Sequence, residues 1–392
     1  MVHEKINQAI EILKEKNIDL WLVFARETSS TPDPSLELIL GTHVTWQSAF
    51  ILTATGEKIA IVGSLDAQNV KDHADYTVMG YVDSIKNTLL DVLKRLDPKR
   101  IAINYSLNDV TSDGLTHGMY LMLTDYLKET PYLNRLESSE PIIAALRGRK
   151  SAAELEAIQG AIQETLLIFD EVTAYVKTGF AEKNVALFIN SRMNERKLEP
   201  AWDPAHCPAV FTGPDSAGAH ASPTGREIEP GHIMNIDFGV RKNGYVSDLQ
   251  RTWYFLRPQE TEAPGAVVHG FETIRDAIKE AAKVLKPGVL GWEVDNVARS
   301  YILDAGYGDF PHALGHQVGR QAHDGSALLC PKWERYGQLP YSVVEEGMVF
   351  TLEPRLTVEC HGIATIEEIV VVRNGGAEFL SSPQTELYLV KT

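Results

Sequence analysis

Four carboxylates and one imidazole in the C-terminal half are the residues best suited to chemistry. They are Asp237, Asp248, His316, Glu353 and Glu367, in the contexts IDFG, YVSDLQRT, HALGHQVG, FTLEP and ATIEE. A lone zinc fits this set poorly, because structural zinc favours thiolates and catalytic zinc usually takes three protein ligands, mostly His. Two divalent ions held close together fit it well. Neighbouring cations repel, bridging carboxylates offset that repulsion, and paired hydrolytic sites hold their metals roughly 3.5–4 Å apart.

Each residue needs an element to position it. Asp237 ends the apolar run HIMNIDFGV, the pair Asn243-Gly244 follows, and YVSDLQRTWYF returns. Asn-Gly is the strongest short hairpin signal. A two-residue turn there sets position 237 opposite 250 and 239 opposite 248, which makes Asp237 and Asp248 diagonal neighbours on one face. Two inward carboxylates that close repel unless a cation or proton lies between them. Taken alone, the pair is equally well explained by one acid that faces solvent. Glu353 and Glu367 interrupt the apolar runs GMVFTLEP and GIATIEEIVVV, and an acid inside an apolar strand needs a partner. Glu368 belongs on the opposite face from Glu367, and Glu367 reads as the inward one because it continues the motif.

His316 lies in HALGHQVGRQAHD with His312 and His323, and Gly315 and Gly319 permit close backbone approach. A single His is ordinarily a core or surface residue, whereas three in one glycine-rich segment argue for a site. His220, in GPDSAGAHASPTG, is a further candidate. His206, in WDPAHCPAV, has no spacing argument and reads as structural.

Residues 1–143 alternate helical and strand signals. A helix is expected near 4–16, then the apolar run LWLVFA, then a hairpin of AFILT and KIAIVG about Thr55-Gly56. Helices near 84–96 and 112–128 flank a strand at 101–105. The alternation indicates an α/β domain, and its acids read as solvated. Ser151 and Glu154 form an S-x-x-E box that opens a long helix, with Ile158, Ile162, Phe169 and Val172 at helical spacing and Gly179 as a stop. The segment VKTGFAEKNVALFINSRM (176–193) resembles LKPGVLGWEVDNVARSYI (285–302). Such a duplication predicts a pseudo-twofold domain with its ligand site between the halves.

The chain has 392 residues, 44% hydrophobic and 23% charged, as for a globular enzyme of about two domains. Its three cysteines, Cys207, Cys330 and Cys360, have no C-x-x-C spacing and read as reduced thiols. A formal charge of −16 without a basic run argues against nucleic acid. No stretch approaches the ~20 apolar residues of a membrane span, and the N-terminus lacks the apolar core of a signal peptide. A cytoplasmic protein is the expectation.

From about residue 147 to 390, the order Asp, Asp, His, Glu, Glu in these contexts resembles the pita-bread metallopeptidases, which include methionine aminopeptidase, aminopeptidase P, prolidase and the related creatinase. The layout is most similar to aminopeptidase P and prolidase. The resemblance implies a creatinase/prolidase-like α/β domain over 1–143 and an α+β pita-bread catalytic domain with a pseudo-twofold repeat over 144–392. It implies two divalent ions, of manganese, cobalt, zinc or iron. Asp237 would chelate one, Asp248 and Glu367 would bridge both, and His316 and Glu353 would complete the ligand set of the second metal. His220 and His323 would lie at the scissile carbonyl and leaving amine, and Glu353 would also move protons. The implied activity is hydrolysis of Xaa-Pro bonds by a homodimer, with a peptide or small-molecule substrate.

Three positions depart from the family pattern. Prolidase-like members carry Arg two positions before the last bridging Glu, where this chain has Thr365. Glu-Pro-Gly becomes Glu353-Pro354-Arg355, and Pro-Gly-Asp becomes Pro230-Gly231-His232. Arg355 and Arg251 are the candidate replacements for the missing arginine. The departures motivate an alternative, a metal-dependent small-molecule hydrolase or lyase on the creatinase-like scaffold. A non-catalytic binding role fits less well, since such relatives lose ligands and this chain keeps all five.

Overall fold

The apolar run LWLVFA becomes strand β1 (Leu20–Ala25), buried along its whole length. Its side chains alternate between two hydrophobic clusters: Trp21, Val23 and Ala25 enter one, and Leu20, Leu22 and Phe24 the other. A continuous apolar run has this meaning in a sheet covered on both faces. The computed structural model describes residues 1–216 and 222–391. The chain divides into two units, Met1–Ser151 and Ala152–Thr392. In the first, the expected hairpin forms between β2 (Ser48–Thr53) and β3 (Lys58–Gly63). With β4 (Thr77–Tyr81), β5 (Ile101–Ile103) and β6 (Leu136–Ser138) it makes a mixed sheet in the order β4-β3-β2-β1-β5-β6. Helices Val2–Lys16, Ile85–Leu96 and His117–Leu127 lie close to their expected positions.

The second unit is built on the repeat. Helices Ala152–Tyr175 and Glu182–Glu195 form one pair, and Gly265–Val284 and Gly291–Asp304 form the other. The Lys-x-Gly connections are alike bond for bond. Gly179 (φ 80°) donates its N–H to Ile228 O, and Gly288 (φ 92°) donates to Val344 O, each at 2.9 Å. Phe180 O then accepts from Ile228 N–H, and Val289 O from Val344 N–H, again both at 2.9 Å. Positive φ at both turns explains why both copies carry glycine there. Two cores form, one around Phe169, Phe238 and Trp253 and the other around Phe271, Ile274 and Phe350, and each takes residues from both halves, such as Val349 and Ile369 in the one and Ile233 and Tyr254 in the other.

The strands β7 (Glu199–Pro200), β8 (Ala209–Thr212), β9 (Ile233–Phe238), β10 (Val240–Lys242), β11 (Tyr245–Val246) and β12 (Leu249–Phe255) follow the first helix pair. The second pair is followed by β13 (Gly315–His316), β14 (Leu328–Leu329), β15 (Val349–Leu352) and β16 (Arg355–Val358). The chain then forms β17 (Gly362–Thr365), β18 (Glu368–Arg373), β19 (Gly376–Phe379) and β20 (Tyr388–Val390). One sheet runs β20-β12-β9-β8 and another β15-β18-β19. Asn243 and Gly244 both take positive φ, 53° and 79°, as a two-residue type I′ turn requires. The register is the one this turn implies, with Asp237 opposite Gln250. The run GIATIEEIVVV departs from its expected single strand. It divides into β17 and β18, because Ala364 and Thr365 pair with β16 whereas Glu368 onward pairs with β15. Glu367 lies at the crossover, where a bridge to Gln250 joins the two halves.

Candidate metal centre

The ends of these strands surround a small cavity of about 190 Å³. Asp237, Asp248, His316, His323, Glu353 and Glu367 line it, together with Trp202, His206, Ala209 and Ala322. Asp237 comes from β9 and Asp248 immediately precedes β12. Glu353 follows β15, while His316 ends β13. One donor atom each from Asp248, His316 and Glu367 lie within 4.8 Å of one another. His316 Nε2 is 3.2 Å from Glu353 Oε1 and 3.7 Å from Asp248 Oδ2. Thr351 fixes this corner: its hydroxyl accepts from the His316 N–H at 3.1 Å and donates to Glu353 Oε1 at 3.3 Å. His316 Nδ1 lies 3.4 Å from Gln317 O. A proton on Nδ1 there leaves Nε2 free as a ligand atom.

The electrostatics call for a cation. Burial pushes Asp237 up to about 8, and the Glu353 charge adds to the shift. Burial likewise holds Asp248 and Glu367 well above the carboxylate range, with the other acids of the cluster as further causes. Burial is the largest single influence on Glu353 and raises it, but the His316 hydrogen bond and the charges of His316, His312 and His323 together outweigh it, and the net shift is downward. Asp237 Oδ1 and Glu367 Oε1 are buried with no hydrogen-bond partner among the described residues. An unpartnered buried carboxylate oxygen is costly. The hard oxygen donors with one imidazole, together with these two orphaned atoms, fit divalent metal ions.

Neighbouring residues sort clearly. Glu368 faces away, as expected, and forms a buried pair with Arg251 at 3.1 Å. Arg251 also donates to Ser382 O and the Glu367 backbone O, so its guanidinium does not stand in for the missing arginine. Arg355 sits directly across from Thr365 in the β16–β17 hairpin and has no carboxylate partner among the described residues. His323 meets the His316 ring edge-to-face at 4.2 Å between centroids. His312 packs on Phe310 and bonds Ala313 O instead of lining the cavity. His220 lies outside the described residues. His206, read from sequence as structural, is on the cavity rim beside Trp202, whose indole N–H donates to His206 O at 3.2 Å. No periodicity marks that loop. Gln250 was also missed, although the hairpin register already set it opposite Asp237. Its amide nitrogen is 3.0 Å from Glu367 Oε2 and 3.4 Å from Glu353 Oε2.

Two repeated halves that converge on buried acids and one imidazole define a metal-dependent hydrolase. The model of metallopeptidase family M24 matches residues 156–374, and the chain belongs to that family. It is a metal-dependent peptidase with the pita-bread fold. The chain is similar to the Xaa-Pro dipeptidase of Pyrococcus furiosus, 30% identical over 286 residues, which are 72% of this chain and 76% of that one. It is 26% identical to the Xaa-Pro dipeptidase of Pyrococcus horikoshii over 393 residues, 99% of each chain. Its fold matches that of an X-Pro aminopeptidase from Thermotoga maritima, with TM-score 0.71 and 24% identity over 98% of this chain and 99% of that one.

Proposed function

We propose that the enzyme hydrolyses Xaa-Pro bonds with two divalent ions held by Asp237, Asp248, His316, Glu353 and Glu367. The observation that carries this reading is the acid cluster, with buried Asp237 Oδ1 and Glu367 Oε1 left without partners among the described residues. Relatives named Xaa-Pro dipeptidases support the substrate class. The bound ions would supply an activated water at neutral pH and polarise the scissile carbonyl. Glu353, kept ionised by His316, accepts a proton. His323, on the cavity wall, donates a hydrogen bond where negative charge develops on the carbonyl oxygen. The prolyl nitrogen leaves only once protonated, and His220 or His323 is the donor. In this reading residues 1–143 are the creatinase/prolidase-like domain and 144–392 the catalytic one. The protein works as a cytoplasmic homodimer.

The test is cleavage of an Xaa-Pro panel by purified protein with added manganese. Cleavage is expected, and Asp248→Ala is expected to abolish both cleavage and bound metal. A folded, metal-loaded sample that cuts no proline peptide sinks the substrate assignment. Thr365, in place of arginine beside Glu367, favours a second reading, a metal-dependent hydrolase of small amides. Including such amides in the panel separates the two.

A further inference from the structure

We infer that Gln250, braced by Thr365, is a positioning residue of the metal centre: one neutral amide sets the two glutamates that face the ions. The inference rests on the ligand assignment proposed above and names a residue outside that set.

Gln250 lies on β12, 3% exposed, and its backbone O accepts the Glu367 N–H at 3.2 Å. Its side-chain nitrogen reaches both carboxylates, Glu367 Oε2 at 3.0 Å and Glu353 Oε2 at 3.4 Å. These glutamates follow different strands, so the amide ties two separate chain crossings to a third element. The amide orientation is dictated by chemistry. Ionised carboxylates only accept, so the NH2 must face them, and Oε1 must face the other way. There it accepts from Thr365 Oγ1 at 3.1 Å. Thr365 is itself buried on β17, with its hydroxyl 3.2 Å from Pro354 O, the carbonyl that follows Glu353. The carboxylates fix the amide orientation, and the Thr365 hydroxyl, whose one proton is shared between Gln250 Oε1 and Pro354 O, braces the amide in it. A neutral amide restrains the carboxylates without cancelling charge that the cations need. Outer partners of this kind typically carry 10–100-fold in metal affinity.

The experiment titrates manganese calorimetrically into the metal-free full-length protein and its variants. Gln250→Met keeps the volume and removes the donor, and is expected to weaken binding about 10- to 100-fold. Thr365→Val is expected to cost about 2- to 10-fold, in line with one lost hydrogen bond. Thr365→Ser, which keeps the hydroxyl, should stay near wild type. The double variant Gln250→Met/Thr365→Val should bind no more weakly than Gln250→Met alone, since the threonine acts through the glutamine. Unchanged affinity in Gln250→Met overturns the inference and leaves the ligand assignment standing. Wild-type protein that takes up no manganese overturns both. Equal losses in Thr365→Val and Thr365→Ser, or additive losses in the double variant, overturn the role of the hydroxyl, and that comparison stands even if Gln250→Met does not fold.

Discussion

Glu367 and Glu368 are consecutive acids, both about 1% exposed, and their burial is offset in different ways. Glu368 has Arg251 at 3.1 Å and also accepts from Ser381 Oγ and the Gln384 N–H. Among the described residues the Glu367 carboxylate has one amide donor and an oxygen with no partner. The difference gives opposite predictions for the same substitution. Glu368→Gln leaves a buried guanidinium without its counter-charge and should cost about 3–5 kcal/mol. Glu367→Gln removes a carboxylate that burial and the charges of Asp248, Glu353 and Asp237 disfavour. The metal-free protein should then be as stable as wild type or more so, while metal binding is lost. Urea unfolding of both variants without metal reads the two signs directly. A large loss of stability in Glu367→Gln would show that this carboxylate has a structural partner.

At the scale of elements, the site depends on how closely β13 approaches β15. A Cβ at Gly315 would lie 1.9 Å from Thr351 O, so the strand carrying His316 reaches Thr351 and Glu353 only because position 315 has no side chain. Gly315→Ala should force β13 outward, costing about 1–3 kcal/mol by overpacking. It should also weaken metal binding, because His316 leaves Glu353. Stability and manganese affinity falling together is the expected result, and retained affinity would show that His316 is not a ligand. The local elements were legible in sequence. Asn243-Gly244 specified a hairpin and its register, strand alternation set Glu367 and Glu368 on opposite faces, and the motif marked Glu367 as the inward one. What needed the fold was how separate hairpins meet. The division of residues 362–373 between two sheets, and the placement of Trp202 and His206 on the cavity rim, depend on contacts between segments far apart in sequence. Gln250 lay between these cases, since its register was available but its partners came from a different hairpin.

The repeat organises the catalytic unit as a whole. Gly179 and Gly288 make matching turns and matching hydrogen bonds, both cores draw residues from both halves, and the acids collect where the halves join at Gln250 and Glu367. The junction therefore concentrates like charge, and that charge couples the metal to the stability of the entire fold. Without metal, folded Asp237 holds its proton up to about pH 8, whereas the unfolded chain releases it near the ordinary value of 3.8. A carboxyl raised in this way contributes stability at low pH, and the contribution is lost as pH rises through the folded value. Asp248 and Glu367 shift in the same direction. Divalent ions replace those protons and bind only the folded state, so they stabilise it increasingly as the protons are lost. The gap in Tm between manganese-saturated and chelator-treated protein should accordingly widen from about pH 5 to about pH 8. Differential scanning calorimetry across that range measures it, and Asp237→Asn, which has no proton to exchange, should flatten the trend. A gap that stayed constant or narrowed with rising pH would mean that the buried acids are not the groups the metal engages.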